Sequence, residues 1–82
     1  MAARILLVED DPAILRGLEL NLQVEGYDVR VATDGKAALE ALEVEVPDLL
    51  VLDIMLPHVN GYQIVERLRR QRNDVPVILL SA

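Results

Sequence analysis

Hydrophobic residues in this chain follow two different periods, and the switches between them outline the secondary structure. Ile5-Leu6-Leu7-Val8 and Leu49-Leu50-Val51-Leu52 are continuous apolar runs bounded by polar residues, the pattern of strands buried on both faces. They predict strands over residues 4 to 8 and 48 to 53, the second ending on Asp53. Val75 to Leu80 reads as a further buried strand, with Pro76 near its beginning, where a missing N–H donor is tolerated. Val29 and Val31 alternate with Asp28 and Arg30, which predicts a short strand with one drier face, nearer an edge than the acid-bearing strands.

Helical spacing fills the gaps. Ile14, Leu15, Leu18 and Leu22 recur on one face after Asp11-Pro12, an N-cap followed by proline at the first helical position, and Gly26 supplies a stop. Thr33-Asp34-Gly35 is a turn, and a second helix over residues 36 to 43 buries Ala38, Leu39 and Leu42 while Glu40 and Glu43 face water. Pro47 ends that connection. The loop from Ile54 to Asn60 contains Pro57 and closes at Gly61, after which Ile64, Val65 and Leu68 form the stripe of a third helix. Asn73-Asp74 turns the chain into its last strand. Strict alternation of strand and helix implies right-handed crossovers and an α/β fold with a parallel sheet.

That topology gives the acids a meaning. In an open parallel sheet, ligands bind beyond the carboxyl ends of the strands. Asp53 ends one buried strand, and Glu9-Asp10-Asp11 follows another. If the two strands are neighbours, Glu9, Asp10 and Asp53 crowd one rim. Two like charges ~4 Å apart repel by about 4 kcal/mol at an effective dielectric near 20, so such a cluster binds a cation or retains a proton. Oxygen ligands without His or Cys favour a hard ion. Mg2+ is preferred over Ca2+, which wants more protein oxygens, and the spacing lacks the EF-hand pattern. A carboxylate beside Mg2+ is a competent nucleophile toward phosphorus, and Asp53 is the candidate.

Composition narrows the class further. The 82 residues make at most one domain, of marginal stability at this size. No apolar run approaches the roughly 20 residues of a membrane span, and Met1-Ala2-Ala3 leads directly into the first strand without a secretory signal, so cytoplasm is the expectation. Cysteine is absent. A formal net charge of −6, from 8 Lys+Arg against 14 Asp+Glu, argues against direct nucleic-acid binding. Tyr27 and Tyr62 are the only aromatics, too few for a base-stacking platform.

Taken together, these residues resemble the first two thirds of a response-regulator receiver domain, the phosphoacceptor module of two-component signalling. Val8-Glu9-Asp10-Asp11 is similar to that family's acidic pair, placed here at Glu9 and Asp10. Asp53-Ile54-Met55-Leu56-Pro57-His58-Val59-Asn60-Gly61 is similar to its phosphorylation loop, and Val77 to Ala82 to the end of its fourth strand. The resemblance covers the whole chain as a partial receiver domain over residues 1 to 82. It implies a flavodoxin-like parallel sheet of strand order 2-1-3-4, with the fifth strand and last two helices beyond the sequence. It also implies that Asp53 accepts phosphate from a phosphohistidine on a sensor histidine kinase. Asp10, Asp53 and the backbone carbonyl of Met55 would hold Mg2+, with Glu9 acting through water. Ser81 would donate its hydroxyl, and Ala82 its backbone N–H, to the phosphoryl group. The motif wording is most similar to the subfamily whose receivers drive a winged-helix DNA-binding domain.

The family also carries a lysine and an aromatic switch residue on its fifth strand. The single lysine here, Lys36, sits at a helix start and cannot be carried over. Transfer is therefore expected to be impaired, and the chain is expected to be a fragment. An alternative reading is a non-signalling module that binds metal or dimerises through an open fourth strand or an exposed helix-one face. A Mg2+-dependent phosphatase is weaker, since Asp53-Ile54-Met55 has no second acid two residues on. Elsewhere, Asp11 reads as a helix cap, His58 as a solvated loop residue and Gly61 as a helix-start glycine. Arg67, Arg69, Arg70 and Arg72 read as a solvated cluster favoured by the helix dipole.

Overall fold

The two continuous apolar runs become the centre of the sheet. The computed structural model describes residues 2–80. In it β1 (Arg4–Val8) and β3 (Leu49–Asp53) lie side by side, flanked by β2 (Asp28–Ala32) and β4 (Val77–Leu80). All neighbours are parallel and the order is β2-β1-β3-β4, as the sequence and the family resemblance predict. The helices α1 (Pro12–Val24), α2 (Gly35–Val44) and α3 (Gly61–Arg70) make the crossovers.

Because side chains alternate across a strand, each central run splits between two faces. Leu6, Val8, Leu50 and Leu52 point to one side, where they pack with Ala38 and Leu42 of α2 and Ile64 and Leu68 of α3. Ile5, Leu7 and Val51 point to the other, against Leu15, Leu18 and Leu22 of α1. Each fully buried Leu or Ile contributes about 1.5–3 kcal/mol of transfer free energy, so the first face supplies most of the core.

Local chemistry sets the helix ends. Asp11 Oδ1 accepts from the N–H groups of Ala13 and Ile14 at 2.9 and 3.2 Å, confirming it as the cap of α1. Asn60 and Gln63 exchange reciprocal bonds of 3.0 Å at the start of α3, a capping box. At the other end of α3, the N–H of Asn73 returns to the Leu68 carbonyl at 2.9 Å, with Arg72 at φ 59.

Several boundaries and exposures differ from expectation. The second helix begins at Gly35 rather than Lys36, because Asp34 caps it by accepting from Ala37 N–H at 2.7 Å. The third strand starts at Leu49, since the side chain of Asp48 instead accepts the Arg4 N–H at 2.7 Å. The fourth strand starts at Val77 rather than Val75: Pro76 has no N–H for the ladder, and Val75 N–H is taken by Asn73 Oδ1 at 3.1 Å. Ile14, expected on a buried stripe, is 50% exposed, and α1 buries no residue fully. Val31 is also exposed, at the outer strand β2. Leu39 is partly rather than fully buried. Arg69 is not simply solvated, because its guanidinium donates to the carbonyls of Asn73 and Val75 at 2.8 and 3.0 Å and ties down the turn after α3.

Candidate functional site

Parallel pairing of β1 and β3 sets Val8 level with Leu52, so the residues that follow emerge at the same rim. Glu9, Asp10 and Asp53 meet there, each offering a carboxylate oxygen within 4.8 Å of the others. Glu9 and Asp53 are buried at 5% and 8% exposure, whereas Asp10 faces solvent. The N–H of Asp10 donates to Glu9 Oε2 at 2.9 Å, and that of Met55 to Asp53 Oδ1 at 3.1 Å. Glu9 N–H is itself anchored on the Ala32 carbonyl at 3.1 Å, and Ile54 N–H on that of Leu80 at 3.1 Å. The rim is therefore held by backbone on both flanks.

An open cleft of about 410 Å³ lies over these acids, with Met55, Ile14 and Leu80 on its walls. Among the described residues, no lysine or arginine lines it. The charge is correspondingly uncompensated: the Glu9 carboxyl is pushed up to about 7, first by burial and then by hydrogen bonding to, and repulsion from, the Asp53 carboxylate. An all-oxygen set with surplus negative charge fits a hard divalent cation, and its small number of protein ligands suits Mg2+ with water completing the shell.

Of the residues singled out in the sequence, Glu9, Asp10, Asp53 and Met55 are brought together. Asp11 lines the same cleft, but its carboxylate is committed to capping α1. Ser81 and Ala82 lie outside the described residues. His58 and Lys36 are exposed and do not line the cleft. Sequence reasoning missed the apolar wall of Ile14 and Leu80, for which periodicity carries no signal. It also missed the steric role of Gly61: a Cβ there would stand 2.7 Å from the Asp53 carbonyl oxygen.

A parallel sheet that gathers carboxylates beyond the carboxyl ends of its central strands defines an open α/β binding module. The sequence profile of the response regulator receiver domain matches residues 5–82, and the chain belongs to that family. It is 44% identical to the alkaline phosphatase synthesis transcriptional regulatory protein PhoP of Bacillus subtilis, over 100% of this chain and 34% of that protein. The chain thus spans about a third of the length of this curated relative. Among solved structures, the Francisella response regulator 1452 receiver domain superposes with a TM-score of 0.94 at 35% identity, covering 98% of this chain and 66% of that one. The Thermotoga maritima response regulator TrrA, solved in complex with Mg2+-BeF, gives 0.92 at 38% identity, covering 100% and 70%. Among the described residues, no helix is long and apolar enough to cross a membrane.

Proposed function

We propose that this chain is a phosphoacceptor in two-component signalling, taking a phosphoryl group from a sensor histidine kinase onto Asp53. The convergence of Glu9 and Asp10 on Asp53 at the ends of two adjacent parallel strands carries this reading. A carboxylate oxygen of Asp53 attacks phosphorus in line with the phosphoimidazole nitrogen. The new P–O bond forms as the P–N bond breaks, and the imidazole leaves with a proton. Mg2+, held by Asp10, Asp53 and the Met55 carbonyl with Glu9 acting through water, would neutralise the charge gathered on the transferring group. Met55 N–H, on Asp53 Oδ1 at 3.1 Å, orients the nucleophile and leaves the second oxygen for attack. Ser81 and the Ala82 N–H are assigned as donors to the phosphoryl oxygens.

Lys36 is exposed in the first turn of α2 and does not line the cleft, so it is not assigned a role in the transfer. The kinship with PhoP supports a place upstream of transcriptional control, while the net charge of −6 supports a chain that does not itself hold DNA. Cytoplasmic residence accords with that role. Intact mass after incubation with acetyl phosphate and Mg2+ tests the reading: one phosphoryl adduct is expected, lost in Asp53→Asn and on chelation. An adduct formed equally well by Asp53→Asn overturns it.

A second reading, self-association, is favoured by the outer position of β4, whose Ile78 is 49% exposed, and by the half-covered face of α1. Light scattering across a dilution series tests it, and a strictly monomeric mass throughout removes it.

A further inference from the structure

The loop from Ile54 to Asn60 leads from Asp53 to α3, and it is pinned near both ends by positions without a Cβ. At Gly61 a Cβ would stand 2.7 Å from the Asp53 carbonyl oxygen and 3.0 Å from Ile54 Cα, closer than side-chain carbons approach backbone. The N–H of Gly61 uses that proximity to donate to the Ile54 carbonyl at 2.9 Å. The other pin comes from a different element. At Gly35, the first residue of α2, a Cβ would stand 2.9 Å from Val59 Cβ and 3.5 Å from Ile64 Cδ1. Val59 is thus seated directly on the backbone of α2, packed against the core.

Seating it has a conformational consequence next door. Val59 N–H donates to the Pro57 carbonyl at 2.7 Å, a three-residue turn whose central residue, His58, has φ 68. Positive φ is uncommon outside glycine, and such strain persists only where surrounding packing imposes it. The packing that faces it here is Val59 on Gly35. Nothing in the proposed phosphotransfer uses either residue, yet the loop they hold carries Met55, whose N–H rests on Asp53.

We propose that Gly35 and Val59 form a positioning pair that presses the loop onto α2, sets Met55 against Asp53 and thereby tunes the affinity of the acidic rim for Mg2+. This rests on the reading of the rim as a Mg2+-dependent phosphoacceptor. Pushing Val59 away from α2 lets the loop relax at His58 and pivot about its fixed base at Gly61. The backbone of Met55 then shifts relative to Asp53, while the packed core is left in place.

The test compares Gly35→Ala, Val59→Gly and the double variant, which transposes the Cβ across the contact. Hydrogen exchange of the Met55 amide is read in metal-free protein, and Mg2+ affinity by amide-shift titration. In Gly35→Ala the Met55 amide is expected to exchange about ten-fold faster, and Mg2+ to bind about ten-fold more weakly, the usual scale for losing support behind a ligand. The double variant is expected to recover most of both losses. A folded Gly35→Ala with wild-type exchange and Mg2+ affinity overturns the proposal, as does a double variant no better than Gly35→Ala. Should Gly35→Ala not fold, Val59→Gly decides, because removing the seated side chain must also speed Met55 exchange and weaken Mg2+. Absence of a phosphoryl adduct in wild type, with these shifts intact, would remove the phosphoacceptor reading and leave the pair standing. A normal adduct with an unaffected Gly35→Ala would remove the pair alone.

Discussion

The two faces of the sheet are built from the same strands but are not equally finished. On the side of α2 and α3, Leu6, Val8, Leu50 and Leu52 meet helices that contribute fully buried residues of their own, among them Ala38, Ile64 and Leu68. On the side of α1, Ile5, Leu7 and Val51 are buried, but α1 offers only partly covered leucines, and Ile14 is half exposed. Burial of a strand's side chains therefore does not imply burial of the helix that covers them. One helix shields a strip of sheet while its own outer flank stays wet; two helices packed side by side shield each other as well. The acidic rim belongs to neither face and depends on both, since β1 and β3 carry it.

This contrast predicts unequal responses to the same kind of truncation. Ile64→Ala should cost about 4 kcal/mol in urea unfolding, because a fully buried side chain leaves a cavity between α3 and the sheet. A loss no larger than that of Leu18→Ala would break the comparison.

The rim should respond to pH on a similar scale. In metal-free protein the Glu9 carboxyl lies at about 7 against 4.5 for the free group, so the folded state holds that proton more tightly than the unfolded chain. The associated stability is complete below pH ~4.5 and is lost as pH rises to ~7, a fall of about 3 kcal/mol. Glu9→Gln should flatten this window in unfolding experiments, and millimolar Mg2+ should restore stability at pH 7 to 8, because a cation favours the ionised carboxylates.

On the less finished face the effects shrink. Leu18→Ala should cost about 1.5 kcal/mol, since the side chain already reaches solvent and less transfer free energy is at stake. Asp11→Ala should cost about 1 kcal/mol by leaving the Ala13 and Ile14 N–H groups without their acceptor. Hydrogen exchange sharpens this last case: the amides of α1 should open faster while those of α3 keep their protection. Uniform acceleration across all helices would mean that the two faces unfold as one.

Much of this architecture is legible residue by residue. Asp11-Pro12 announces α1 because a cap and a pre-set φ act within one turn, whereas the capping box of Asn60 and Gln63 at the start of α3 went unread. The runs ending at Val8 and Asp53 identify the central strands because only doubly buried strands dispense with alternation. Less was legible wherever a distant partner decides. Asp48 looked like the start of β3 but is drawn off by the Arg4 N–H, and Arg69 looked like a solvated cation but closes the turn after α3. Ile14 has the spacing of a core residue, yet spacing says which face it occupies, not how much protein lies against that face.

The sequence by itself determined the alternation of strand and helix, the cap of α1, the sheet order through its family resemblance, and the choice of Glu9, Asp10 and Asp53 as the residues of interest. These follow from periodicity, local hydrogen bonding and recognisable motifs, all carried by neighbours along the chain. Tertiary structure alone decided that the three carboxylates lie within 4.8 Å, that Glu9 is pushed up to about 7, and that Val59 rests on Gly35. Distances, desolvation and steric fit are properties of segments far apart in sequence, and they come into being only when parallel pairing and helix packing bring those segments together.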